Sequence, residues 1–277
     1  MIRTVIPALA MLTAVSPALA APKIIFEEQF DGSRLKPGRW MSGAERFVGY
    51  PLVETRVGNG EFQQYVPGQV RVGGGLLRIT ARPMNGPEKA LWDRRIVDPK
   101  FGYKGVVLKN LQAVRWVSGQ ISTFPHKPFA PGTKMSARIM LPVGAQAWTG
   151  VWAFDYVNKT EVDMFEGSGR PSSDPMGNLS QGLHDFVSNY HKGCGKTPVP
   201  TAGWHIVTAD WRDPKRVVFG YDGKANCTVD VGPRMDKPMS IILNLAVGSS
   251  NWNWIGAPNA NTPNPLSFTV DWVRVER

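Results

Sequence analysis

No segment of this 277-residue chain sustains a long helical hydrophobic period, which argues against a helical bundle or a parallel sheet with crossover helices. No apolar run is long enough to span a bilayer, since the stretch around Val5 to Val15 is short and Met1–Ala20 is broken by Pro7 and Pro17. No nucleic-acid motif accompanies the lysines and arginines, which are scattered along the chain, so nucleic acid is not expected as a partner. No internal repeat or long linker divides the sequence, and a single domain is expected over residues 21–277. Cysteine occurs only twice, at Cys194 and Cys227. In an exported chain this pair reads as one disulfide; the alternative, zinc held with His184 and His191, fits no familiar ligand spacing.

Export itself is read from Met1–Ala20, which carries Arg3, no acid, an apolar centre and the small-x-small ending Ala18-Leu19-Ala20. That is the pattern of a cleaved secretory signal, placing the mature protein in the periplasm or outside the cell. The formal net charge is +10. Such a balance serves solubility, or it matches an acidic partner, and for an exported protein an acidic polysaccharide or negative envelope surface fits better than nucleic acid.

The chain's 29 glycines and 23 prolines punctuate short runs rich in Val, Ile, Thr and aromatics, an all-β rhythm. Strands are expected at Lys23 to Phe30, Val70 to Val72, Leu76 to Ala81, Gly119 to Phe124, Lys134 to Leu141, Thr149 to Asp155, Glu161 to Glu166 and Ser180 to Asp185. They continue at Trp204 to Trp211, Arg216 to Tyr221, Lys224 to Val231, Met239 to Val247 and Leu266 to Glu276. This many strands without helices indicates two antiparallel sheets packed as a sandwich. Asp222-Gly223 marks a hairpin turn between two of the runs. The least regular part, Pro83 to Trp116, is expected to form long loops, with Arg94, Arg95, Lys100, Lys104, Lys109 and Arg115 available to an anionic chain. A second irregular stretch, Asn251 to Pro265, carries Trp252 and Trp254 and resembles a loop that exposes aromatic rings.

The chemistry concentrates in Glu161-Val-Asp-Met-Phe-Glu166. In a regular strand Glu161 and Asp163 share a face while Glu166, five positions on from Glu161, faces away. A β-bulge at Met164-Phe165 returns Glu166 to the face of the other two. Three carboxylates so close repel one another, so at least one proton is retained at neutral pH. Two glutamates about 13 Å apart along the strand can lean their carboxyl groups to about 5–6 Å, the spacing of a double-displacement glycosidase. Trp148 and Trp152, four apart, fall on one strand face where their rings can stack on sugar, although core packing explains them too. His184 either contacts a sugar on the leaving-group side or is an ordinary sheet histidine.

With these residues in place, the chain resembles glycoside hydrolase family 16, the laminarinase, agarase and carrageenase group. The likeness is carried by Ile25-Phe-Glu-Glu-Gln-Phe-Asp-Gly32 with Trp40, Asn59-Gly-Glu-Phe-Gln-Gln-Tyr65 and Ala147-Trp-Thr-Gly-Val-Trp152. Further on it is carried by the bulged Glu-x-Asp-x-x-Glu motif, Trp204 to Trp211, Met239 to Gly248 and Val270 to Val275. The resemblance implies a concanavalin-like jelly roll with a concave cleft, and an endo-acting retaining hydrolase of a β-1,3- or mixed-linkage glucan or a galactan. It implies Glu161 as nucleophile, Asp163 as its helper and Glu166 as acid/base, with Asn59 and Glu61 joining the substrate-binding residues; Trp252 is counted with them from its place on the irregular loop. It also implies a structural calcium at Asp271, near Gly75, and no cofactor for catalysis. A monomer is expected. Transglycosylation on the same cleft and a non-catalytic carbohydrate-binding sandwich are the competing readings; paired acids argue against the latter.

Overall fold

A computed structural model of the protein describes residues 22–42, 59–99, 102–169 and 176–277, with nothing stated of the Val107 side chain. The expected secretory signal and Lys100 lie outside the described residues. The chain runs through β1 (Ile24–Glu28), β2 (Met41–Ser42), β3 (Gln63–Tyr65), β4 (Val70–Gly73), β5 (Leu76–Pro83), α1 (Gly86–Ile96) and α2 (Gly105–Ala113). Next come β6 (Trp116–Ser118), β7 (Gln120–Ser122), β8 (Lys134–Met140), β9 (Ala147–Asp155), β10 (Thr160–Ser168), β11 (Met176–Asp185) and β12 (Tyr190–Gly193). It ends with β13 (Thr197–Pro200), β14 (Trp204–Asp210), β15 (Arg216–Tyr221), β16 (Lys224–Asp230), β17 (Ser240–Val247) and β18 (Leu266–Glu276).

These strands form a jelly-roll sandwich. One ten-stranded sheet has the order β16-β15-β14-β8-β18-β5-β6-β3, with β1 on β18 and β4 on β5. The other, eight-stranded, has the order β12-β11-β10-β9-β17-β7-β2, with β13 on β11. Pairing among the described strands is antiparallel apart from the short parallel pair β3 and β6. Alternation along the strands decides which side chains meet between the sheets: Leu77, Ile79, Ala137, Ile139 and Val207 from one, Val151, Val162, Met164, Leu183 and Leu243 from the other, all fully buried. Each buried Leu or Ile contributes about 1.5–3 kcal/mol relative to exposure. At the Asp222-Gly223 turn both residues have positive φ, 48° and 77°, as a tight hairpin between β15 and β16 requires.

The segment Pro83 to Trp116 corrects the expectation of long loops, because it folds into α1 and α2. The Asn85 side chain accepts from the Glu88 amide at 2.9 Å while Glu88 accepts from the Asn85 amide at 2.9 Å, a reciprocal cap that satisfies two donors at the start of α1. Glu88 in the first turn and Arg94 and Arg95 in the last complement the helix dipole. Trp92 and Ile96, one turn apart, then bury against Leu111 and Val114 in a small core of their own. Arg94, Lys104, Lys109 and Arg115 are exposed on this helical pair, and Arg95 is half-buried. No helix among the described residues is long and apolar enough to cross a membrane.

Cys194 and Cys227 form a disulfide, so their thiols are not available to zinc. Cys194 follows β12 at the edge of the eight-stranded sheet and Cys227 lies in β16 at the edge of the other, so the bond joins the two sheets along one side.

Candidate active site

Strand β10 carries the three acids, and its register shows how. Asp163 pairs with Trp152 of β9 and Phe165 with Val151, so Met164 is an extra residue with no partner of its own. Met164 and Phe165 consequently both turn into the core, at 0% and 1% exposure. Glu161 lies opposite Phe154 and Glu166 opposite Gly150, two partners four apart on β9 and therefore on one face. Glu161, Asp163 and Glu166 thus share the outer face of the eight-stranded sheet, away from the core. Glu161 and Asp163 are nonetheless only 5% and 7% exposed, which places them in a recess.

The neighbouring strands supply the groups that hold these acids. His184 of β11 lies directly across from Glu161, and its Nε2 approaches Asp163 Oδ2 at 3.0 Å. Burial alone lowers an imidazole, but the hydrogen bond to Asp163 and the charges of Asp163, Glu161 and Glu166 outweigh it, and His184 is raised to about 9. Trp148 of β9 donates from Nε1 to Glu166 Oε1 at 3.1 Å. Trp152 donates to Asn244 Oδ1 of β17 at 2.7 Å, and Asn244 Nδ2 donates to the Tyr65 hydroxyl at 2.8 Å. Between the two tryptophans, Gly150 is required by close approach: a Cβ there meets Asn244 Oδ1 at 2.4 Å.

Glu161, Asp163 and His184 place their ligand atoms within 4.8 Å of one another, a separation a cation could bridge. The contact of His184 Nε2 with Asp163 makes this set a carboxylate and imidazolium network, in which a cation would compete with the imidazole proton. The sign of its pH dependence follows from the raised value. Stabilisation by the His184–Asp163 ion pair is complete below the ordinary imidazole value of 6.5 and lost as pH rises through about 9. Thermal unfolding of the wild type and His184→Phe is expected to differ most below about pH 6.5 and to converge above about pH 9. A difference that stays constant from pH 6 to 10 removes the ion pair from the account.

The structure thus brings together Glu161, Asp163, Glu166, His184, Trp148 and Trp152. The two tryptophans are covered to 6% and 7% exposure, so they fix partners through their indole nitrogens and offer little open ring face. Asn59 and Glu61 sit at the margin, where Phe62 N donates to Val247 O at 3.0 Å and Ser250 N to Gly60 O at 2.9 Å. Buried Glu61 accepts from Gln63 Nε2 at 2.6 Å and Asn59 Nδ2 at 3.4 Å. Trp252 stands on the rim loop, 49% exposed, while Trp254 packs edge-on against Trp148 at 5.6 Å. Asp271 lies on β18 of the other sheet, bonded to Arg138. A carboxylate already paired with a guanidinium does not fit a calcium ligand.

Sequence reasoning gave no role to Asn244 or Tyr65. Asn244 carried a signal: it is the only amide in the apolar run Ile241-Ile-Leu-Asn-Leu-Ala-Val247, and every residue of β17 is buried. A polar group so placed needs a partner.

No family model matches the chain. It is 25% identical over 289 residues to the glucan endo-1,3-beta-glucosidase A1 of Niallia circulans, a match covering 95% of this chain and 39% of that protein, so the chain spans about two fifths of that relative's length. The endo-beta-1,3-glucanase from Pyrococcus furiosus has a similar structure, with a TM-score of 0.70 and 26% identity over 92% of this chain and 94% of that one. SCLam, a non-specific endo-beta-1,3(4)-glucanase from family 16 of the glycoside hydrolases, shares the fold with a TM-score of 0.70 at 21% identity, covering 94% of this chain and 92% of that chain.

Proposed function

We infer that this chain, a member of glycoside hydrolase family 16, is an endo-acting, retaining β-glucanase that cleaves β-1,3- or mixed-linkage glucan. The observation that carries the reading is the bulge at Met164, which puts Glu161 and Glu166 on one face of one strand. The electrostatics divide their roles. The His184 imidazolium interacts most strongly with Asp163, then Glu161, then Glu166. Glu166, the acid with which that imidazolium interacts least and the one held by the Trp148 indole, is assigned as the proton donor.

In the first step a Glu161 oxygen attacks the anomeric carbon, the bond to the leaving glycosyl oxygen breaks, and Glu166 gives its proton to that oxygen. In the second, Glu166 takes a proton from water, the water oxygen attacks the same carbon, and the glycosyl ester to Glu161 breaks. Asp163 holds the attacking carboxylate in place, itself anchored by His184. Two inversions at one carbon give net retention.

Export through Met1–Ala20, to the periplasm or beyond, is part of this reading, since a polymeric substrate lies outside the cell. So is action as a monomer, because the acids and their supports come from one chain. The basic balance, with Arg94, Arg95 and Lys104 exposed or half-exposed around the helical pair, favours glycans that carry negative charge. The test is proton NMR of the first product released from laminarin and from a mixed-linkage glucan, with an acidic exopolysaccharide as a third arm. Fresh reducing ends of β configuration are expected from internal cleavage. Initial α-anomer overturns the retaining mechanism, and no release from any β-glucan overturns the substrate class.

A further inference from the structure

We propose that His191, on edge strand β12, is a positioning residue for this active site, accepting at Nδ1 the hydrogen bond that holds His184 against Asp163. The inference rests on the hydrolase reading for its kinetic consequences and on geometry alone for the contact itself. His191 lies directly across from His184 in the β11–β12 register, and the two Nδ1 atoms are 2.8 Å apart. At that distance the two nitrogens share one proton: with none, lone pair faces lone pair, and with two, N–H faces N–H.

The surroundings decide which ring donates. His184 Nε2 is on Asp163 at 3.0 Å with Glu161 directly opposite, so His184 sits nearest the acids and carries the charge. Its Nδ1–H then donates to His191, whose own ring proton is thereby fixed on Nε2. Phe186 completes the frame, stacked on His184 at 5.9 Å and edge-on to His191 at 5.6 Å. Both nitrogens of the His184 ring are thus engaged, and the ring cannot rotate without releasing Asp163.

The charged groups around His191 are few. Glu161, Asp163 and Glu166 lie beyond His184 on β10. On β11 Asp185 is occupied by Ser188 and Arg234. Lys192 pairs with core-facing Leu183 and so alternates to the other side of β12. From β16 the Asp230 carbonyl accepts from the hydroxyl of Tyr190, the neighbour of His191 in β12. A second proton on His191 therefore confronts the His184 N–H directly, the ring is pushed off Asp163, and activity is lost on the acid side.

The experiment compares the full-length protein with His191→Leu, which removes the acceptor, and His191→Asn, whose amide oxygen accepts but does not titrate. Expected for H191L is a fall in kcat of about tenfold with KM little changed. In ¹⁵N-detected NMR its His184 titration midpoint is expected to fall by about one unit. H191N is expected to recover both quantities to near the wild-type values and to lose one transition from the acid limb of kcat. An H191L protein with wild-type kcat and an unmoved His184 titration overturns the proposal. So does an H191N as impaired as H191L, or a loss of thermal stability in H191L with the titration unmoved. If no glucan is cleaved by any form, the hydrolase reading fails, while the titration arm still decides whether His191 holds His184.

Discussion

Glu161→Gln is expected to lower turnover of a β-glucan by about 10⁵-fold, because it replaces the proposed nucleophile with an amide that cannot form the glycosyl ester. Glu166→Gln should cost about 10³-fold on the same substrate, the scale of a lost general acid. The two losses separate when the leaving group changes. An aryl glycoside with an acidic phenol departs without a proton, so the first step survives in Glu166→Ala and the glycosyl-enzyme accumulates. Azide then attacks that intermediate without base help, giving a β-glycosyl azide, whereas Glu161→Ala with azide gives the α product by a single inversion. Asp163→Asn keeps its shape but loses the charge that faces His184, and a milder loss is expected. The measurements are kcat for each variant, its unfolding temperature, and the anomeric configuration of the azide adducts. Either glutamine variant within tenfold of the wild type, with its fold intact, removes that residue from the chemistry.

Much of this site was legible because its information is local. The five-residue spacing of the glutamates, with Met164 and Phe165 both apolar, requires an extra residue if the acids are to share a face, and the register places it there. Clean alternation made β5 readable, since Leu77, Ile79 and Ala81 turn inward while the residues between them do not. The helical pair was not seen because neither helix has a strong apolar stripe. Trp92 and Ile96 need Leu111 and Val114 from the other helix to form a core at all. The local signal was the Asn85 to Glu88 cap, which a reading dominated by Gly86, Pro87 and scattered charge passes over. The polar scaffold of the recess was hidden for a different reason. Tyr65 and Asn244 meet across 179 residues of sequence, and only the paths of β3 and β17 bring them together. Trp152, readable as a sugar platform, is tied into that scaffold through its indole nitrogen, a tie that no local spacing shows.

Replacing Cys194 and Cys227 with alanine is expected to lower stability by about 4 kcal/mol, from the entropy of opening a loop with a sequence separation of 33. For a domain of this size that is about 8 °C in unfolding temperature. The bond joins the β12 edge of one sheet to the β16 edge of the other, and the sheets are also tied by the Tyr221 hydroxyl of β15, which donates to the Pro200 carbonyl of β13 at 2.6 Å. That hydrogen bond and the shared core between the sheets keep the variant folded at 25 °C, so the loss should appear on heating. Its effect on chemistry should be graded by distance across the sheet. β10 is paired on both sides, with β9 and β11, and holds the carboxylates in register without the disulfide. β12 is the edge strand next to the bond, and it carries His191. Calorimetry of the oxidised wild type, the wild type under reductant and the double variant is the measurement, with kcat at 25 °C alongside. The last two should melt together and below the first, with kcat reduced no further than in His191→Leu. Equal melting of all three denies the bond a structural role, and a kcat far below that of His191→Leu shows that the edge supports the acids themselves.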